Sequence, residues 1–137
     1  LVMEDSERVV SSETAHSMLD MMQAVTDINS TGWRAAVPGY NIAGKTGTSE
    51  DPDENGQLTK RVGTFVGLVP AEDPQIAIAV TVYNATGAGY GGDVAAPVFK
   101  DTVSFAVRQL GIPPSTVPLV RLPWYPGEEI ESDDSVG

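Results

Sequence analysis

The sequence contains no cysteine and only one histidine among its 137 residues. Without cysteine there is neither a disulfide framework nor thiolate chemistry. The single histidine, His16, argues against a zinc site, because zinc takes several nitrogen or sulfur ligands. We therefore expect neither a metal nor a cofactor. The chain also lacks an apolar run of the roughly 18–20 residues that a membrane-spanning helix needs.

Basic residues are scarce as well. Eight lysines and arginines stand against 19 aspartates and glutamates, which gives a net charge of −11. Nucleic-acid backbones select basic surfaces, so nucleic acid is excluded as a partner. The apolar content of 41% is enough for a packed core, and the length suits one domain or a large part of one.

The apolar periodicity predicts a helix, three strands and a second helix. The first helix is capped by Ser11 or Ser12 after a short strand end at residues 7–10, and a 3.6-residue stripe follows: Ala15, Met18, Leu19, Met22 and Val25. Strands are predicted at residues 40–44, 61–70 and 75–83, with a loop over residues 50–58.

The second helix is predicted to be capped by Asp93 and ended by Gly111, with this apolar stripe: Phe99, Val103, Ala106 and Leu110. The resulting fold class is α+β, an antiparallel sheet with helices packed on it. Prolines and five acidic residues in residues 115–137 indicate an extended tail, pinned by Trp124 and Tyr125.

The stretch GYNIAGKT, residues 39–46, fits the phosphate-binding pattern G-x-x-x-x-G-K-[ST]. Such a loop follows a buried strand and opens directly into a helix, whose N-terminus holds the anion. Here a turn precedes the pattern, and the glycine, proline and acidic residues after Thr46 do not start a helix. We interpret the match as a coincidence and keep a nucleotide binder as the weaker alternative.

As a strand end, the same residues offer different chemistry. Lys45, Thr46 and Thr48 would bring one cation and two hydroxyls close together, and Gly47 would let a second backbone approach. The exposed edge of such a strand can pair with an extended peptide, and a backbone N–H there can stabilise an oxyanion. The alternative is a solvated hairpin end whose threonines reflect β-propensity alone.

The run AGKTGTS, residues 43–49, resembles the K-T-G box of penicillin-binding proteins and serine β-lactamases. The resemblance extends over residues 7–114, and FVGLVPAEDPQIAIAV is similar to the monofunctional class B transpeptidases, those of cell division included. It implies a C-terminal portion of a transpeptidase domain over residues 1–114, followed by the tail at residues 115–137.

The resemblance also implies a function and roles for residues. In that family a serine is acylated by the D-Ala-D-Ala end of a peptidoglycan stem peptide, or by a β-lactam. Lys45 would supply positive charge, Thr46 and Thr48 would bind the ligand carboxylate, and the Thr48 N–H would be one oxyanion donor. Gly47 would keep the approach open, and Tyr90 would border the cleft and contact ligand.

Two of the three family motifs are missing. The sequence contains neither S-x-x-K, which carries the nucleophile, nor S-x-N. The resemblance therefore implies that an N-terminal companion segment of the same protein carries the missing motifs, and that the isolated chain is inactive. It also implies a location on the extracytoplasmic face of the bacterial cytoplasmic membrane, with the anchor outside this chain. A nonenzymatic penicillin-recognising sensor domain is the alternative function.

Overall fold

The computed structural model describes residues 7–52, 54–85 and 89–121. Three strands, β1 (Ala43–Pro52), β2 (Leu58–Val69) and β3 (Ile76–Val82), form one antiparallel sheet in the order β1-β2-β3. Helices pack on this sheet, so the predicted α+β class is confirmed. In the described ranges no helix has both the length and the apolar character needed to cross a lipid bilayer.

The first helix, α1 (Ser12–Gln23), begins where the sequence predicts it. Ser11 is the N-cap, and its hydroxyl accepts a hydrogen bond from the Thr14 N–H at 3.0 Å, which satisfies one of the unpaired N–H groups of the first turn. The apolar stripe is only partly covered, since Met18 is 53% exposed. The predicted strand end is wrong, because residues 7–10 pair with no strand in the described part of the chain.

The hairpin of β1 and β2 is longer than predicted, because residues 50–52 and 58 of the expected loop over residues 50–58 belong to the strands. Opposite charges face each other in this extension. Glu50 pairs with Arg61 and Asp51 with Lys60 in the strand register, and Arg61 Nε lies 3.6 Å from Glu50 Oε1. Cross-strand pairs of opposite charge favour the ladder although aspartate and proline have low β-propensity.

The start of β1 is later than predicted, at Ala43 instead of Tyr40. Gly39 has φ of 80°, and the Tyr40 N–H donates to the Val37 carbonyl at 3.1 Å, which closes a tight turn. This turn includes Tyr40, the first residue that alternation assigns to the strand. Tyr40 is anchored further by its hydroxyl, which donates to the Ile112 carbonyl at 2.8 Å.

Phe65 on β2 lies at the centre of the core and is fully buried. Three glycines surround its ring: a Cβ built on Gly32, Gly44 or Gly67 would lie 2.7, 2.5 or 3.3 Å, respectively, from a ring carbon. Small residues at these points are needed because the ring fills the space of their side chains. Gly44 directly precedes Lys45, so this packing determines how β1 enters the K-T-G box.

The second helical region starts earlier than predicted and is interrupted. A short helix, α2 (Gly91–Val94), precedes the longer α3 (Ala96–Leu110). Tyr90 occupies the N-cap position of α2, so the prediction that Asp93 caps the helix is wrong. The Asp93 N–H already donates to the Tyr90 carbonyl at 2.9 Å and lies inside the first turn.

The buried stripe of α3 differs in its second half from the predicted one. Phe99 and Val103 are buried as expected, and the Phe99 ring centroid lies 4.7 Å from that of Phe65. Val107 continues the stripe, whereas Leu110 is 63% exposed. The spacing of four from residue 99 to 103 to 107 keeps one face toward the sheet. Gly111, with φ of 66°, ends the helix as predicted.

The chain after α3 returns along the start of β1. Asn41 is buried and makes two bonds to this segment: its N–H donates to Ser115 Oγ at 2.9 Å and its Nδ2 to the Val117 carbonyl at 3.0 Å. Gln23 Oε1 accepts from the Val120 N–H at 3.2 Å. Residues 115–121 of the predicted tail are thus hydrogen-bonded to the body. The predicted anchors Trp124 and Tyr125 lie outside the described residues.

Candidate active site

The K-T-G box lies within β1, which pairs with β2 on one side and with no other strand of the described ranges. In the register of this pair, Lys45, Thr46 and Gly47 stand opposite the following residues of β2: Val66, Phe65 and Thr64. An edge strand directs alternate N–H and C=O groups away from the sheet. The site candidates are therefore on a strand edge that can accept an extended ligand.

This geometry does not form a phosphate loop. Lys45 and Thr46 are strand residues, and β1 continues without a helix to Pro52. Phosphate binding by the matching pattern requires a loop whose N–H groups and following helix N-terminus surround the anion. The nucleotide-binding alternative has no structural support at these residues.

Strand alternation separates the threonine hydroxyls from the lysine side chain. Thr46 is paired with the core residue Phe65, so Thr46 and Thr48 lie on the face that carries α2 and α3. Lys45 starts from the opposite face, and its Nζ then donates to the Thr46 carbonyl at 2.8 Å. The ammonium group therefore lies at the β1 backbone.

Thr48 is connected to the loop before α2. Its Oγ1 accepts a hydrogen bond from the Gly91 N–H at 3.2 Å. Gly91 lies directly over the hairpin, because a Cβ built on it would collide with the backbone oxygens of Gly47 and Thr64. No side chain fits between this loop and the sheet, so glycine alone allows the contact.

Thr46 is connected to a second loop, at Thr31. The two hydroxyls lie 3.4 Å apart, and a Cβ built on Gly92 would collide with the Thr31 carbonyl oxygen. Sequence reasoning did not assign Thr31, Gly91 or Gly92 to the site. The sequence does show a Gly91-Gly92 pair and a Thr31-Gly32 turn, either of which could have pointed to the site. That the two segments contact each other depends on the tertiary fold.

Tyr90, a predicted ligand contact, directly precedes Gly91 and is 54% exposed. The Arg61 guanidinium carbon lies 5.1 Å from the centroid of its ring, within the range of a cation–π interaction. Within α2, Asp93 forms an ion pair, and its Oδ1 lies 3.5 Å from Arg34 Nε. Both of these side chains are about half exposed, so the ion pair contributes at most about 1 kcal/mol.

Comparison with known proteins identifies the family. The family model for the penicillin-binding protein transpeptidase domain matches residues 2–104. The chain belongs to that family. It matches the C-terminal part of the transpeptidase domain, as the K-T-G box and its surroundings predict.

Relatives and solved structures agree with this assignment. A probable peptidoglycan D,D-transpeptidase PenA of Neisseria flavescens is 40% identical over 111 residues, which are 79% of this chain and 28% of the relative. The transpeptidase domain of Burkholderia pseudomallei penicillin-binding protein 3 superposes with a TM-score of 0.71 at 37% identity, over 82% of this chain and 34% of that one.

Penicillin-binding protein 3 of Mycobacterium tuberculosis, solved in complex with ampicillin, gives a TM-score of 0.72 at 32% identity. The match covers 83% of this chain and 28% of that one. This chain therefore spans about a third or less of the length of these proteins.

Proposed function

We propose that the protein containing this chain is a peptidoglycan D,D-transpeptidase, and that this chain supplies the K-T-G wall of its active site. The observation that carries the proposal is the open β1 edge, on which the K-T-G box is held between two loops through Thr46 and Thr48. The substrate is the D-Ala-D-Ala end of a stem peptide, an extended chain with a free carboxylate, and β-lactams take its place.

Each residue of the K-T-G box has a role in this proposal. Lys45 places a positive charge at the β1 edge, where it faces the serine and carboxylate groups of the complete cleft. The hydroxyls of Thr46 and Thr48 donate to the ligand carboxylate, and Thr46 gives up its long donor bond to Thr31 to do so. The Thr48 N–H donates to the oxyanion of the tetrahedral intermediate, because donors aimed at developing charge lower the barrier most. Gly47 leaves room for the ligand backbone, and Tyr90 borders it.

The nucleophile and the proton-transfer serine come from the companion segment of the same protein. Neither S-x-x-K nor S-x-N occurs in this chain. Exposed apolar side chains mark the surfaces that the companion covers, notably Met18 and Met21 on α1 and Val66 on the sheet, which are 53%, 52% and 44% exposed. The isolated chain is inactive on this proposal, and its partners are the companion segment, stem peptides and β-lactams.

Peptidoglycan cross-linking takes place outside the cytoplasm. The proposed location is therefore the extracytoplasmic face of the bacterial cytoplasmic membrane, with the anchor outside this chain. The residue range 1–114 belongs to the transpeptidase domain on this proposal, and the acidic tail begins at residue 115.

A fluorescent penicillin tests the proposal. The full-length protein is labelled, cleaved by limited proteolysis and separated under denaturing conditions. We expect label on the companion fragment and none on the fragment that carries the K-T-G box. Label on the latter would place the nucleophile in this chain and contradict the divided site. Acylation without turnover of a thioester acyl donor would favour a sensor over a transpeptidase.

A further inference from the structure

The contact between Gly91 and Thr48 sets the direction of a hydroxyl proton. A threonine hydroxyl offers one donor and two acceptor lone pairs. Since the Thr48 oxygen accepts the Gly91 N–H at 3.2 Å, its own proton points away from the loop. Thr48 is exposed, so this proton is available to an acceptor that arrives from solvent.

The position of Gly91 is determined from two sides. Toward the sheet, the oxygens of Gly47 and Thr64 leave no space for a Cβ. On the far side, Gly92 lies against the Thr31 carbonyl oxygen with equally little space. A side chain on either glycine would therefore collide with backbone atoms, which do not yield as flexible side chains do, so the loop lies in close contact with both the hairpin and the Thr31 turn.

We propose that Gly91 is a positioning residue for anion recognition, which orients the Thr48 hydroxyl proton toward the ligand carboxylate. This inference rests on the proposed function of the same site. The Gly91 N–H holds the Thr48 oxygen, and the threonine proton is thereby oriented before the ligand binds. Preorganised donors of this kind favour a charged acceptor because no rotation is needed on binding.

The test compares acylation of the full-length protein by a penicillin and by its methyl ester, which lacks the carboxylate charge. The readout is the ratio of the two second-order acylation rates. Gly91→Ala should lower this ratio by about three- to tenfold, the range for loss of one hydrogen bond. In a Thr48→Val background the same substitution should leave the ratio unchanged, since the hydroxyl on which Gly91 acts is gone.

Gly67→Ala is the matched control. A Cβ on Gly67 would crowd the Phe99 ring, so this variant creates a comparable steric defect away from Thr48, and its ratio should equal that of the parent. Two outcomes would overturn the proposal: a parental ratio in Gly91→Ala, or an equal fall of the ratio in the Thr48→Val background.

A second measurement does not depend on the folding of Gly91→Ala. Amide hydrogen exchange at Gly91 should be several-fold faster in Thr48→Val than in the parent and unchanged in Thr48→Ser, which keeps the hydroxyl. Equal exchange in all three proteins would mean that Gly91 does not hold Thr48. If no penicillin acylates the parent, the proposed function fails, and this exchange comparison alone decides the positioning contact.

Discussion

Replacement of Lys45 by alanine separates the chemistry of the K-T-G box from its folding. The lysine is exposed, and its described hydrogen bond runs to the carbonyl of the next residue, Thr46, at 2.8 Å. Removal of this side chain opens no cavity and leaves no buried group unpaired. We expect the free energy of unfolding of the full-length protein to change by less than about 0.5 kcal/mol.

The expected effect on acylation is much larger. If Lys45 places its charge where the tetrahedral intermediate and the carboxylate are stabilised, the loss of this one group should slow acylation about 10²- to 10³-fold, or about 2.7–4 kcal/mol. An effect of this size exceeds the stability change several times. The two quantities can therefore be told apart in one variant.

The assay is the time course of labelling by a fluorescent penicillin, together with a urea denaturation curve for each protein. Lys60→Ala is the control, since it makes the same change in charge at an exposed position opposite Asp51, farther along the hairpin. We expect the control to acylate within about twofold of the parent, because an exposed charge is screened over about 10 Å. Equal acylation by Lys45→Ala and the parent would remove Lys45 from the mechanism.

Three further predictions concern the architecture. Phe65→Ala should destabilise the full-length protein by about 3–5 kcal/mol, since the ring is fully buried among three glycines that cannot fill the cavity; a thermal midpoint within 2 °C of the parent would contradict this. Asn41→Ala should cost about 1–3 kcal/mol because it leaves the Val117 carbonyl without its side-chain donor, and limited proteolysis should then cut residues 115–121 faster; unchanged cleavage would mean that this segment does not depend on Asn41. The isolated 137-residue chain should aggregate or melt without cooperativity because its helix stripe and sheet face are uncovered, and a cooperative, monomeric melt in calorimetry would refute the need for the companion.

Local chemistry explains where sequence reasoning succeeded. Ser11 caps α1 and Gly111 ends α3 because cap and stop signals act within one turn of the helix. The regions of β2 and β3 follow from their runs of valine and isoleucine. The family was recognised from the K-T-G box and its surroundings, and the match to the family model confirms the family.

The misassigned boundaries share a physical reason. The extension of β1 beyond Ser49 depends on charged partners on β2, and the later start of β1 depends on the turn at Gly39. The N-cap at Tyr90 in place of Asp93 depends on a loop seated on the sheet. The first and last of these outcomes are set by contacts between different segments of the chain, so local propensity does not determine them, whereas the turn at Gly39 is local and its Pro-Gly signal stands in the sequence.

The sequence by itself determined the α+β class and the family, and it supplied the residues of the proposed active-site wall, because residue type and order are enough for periodicity and motifs. Only the tertiary structure decided that Thr46 and Thr48 share one face while Lys45 leaves from the other, and that Gly91 and Thr31 contact the two threonines. Gly91 is 43 residues from Thr48. A contact of that range forms only when the chain folds back on itself, and backbone atoms that leave no room for a side chain then determine which residue can stand there.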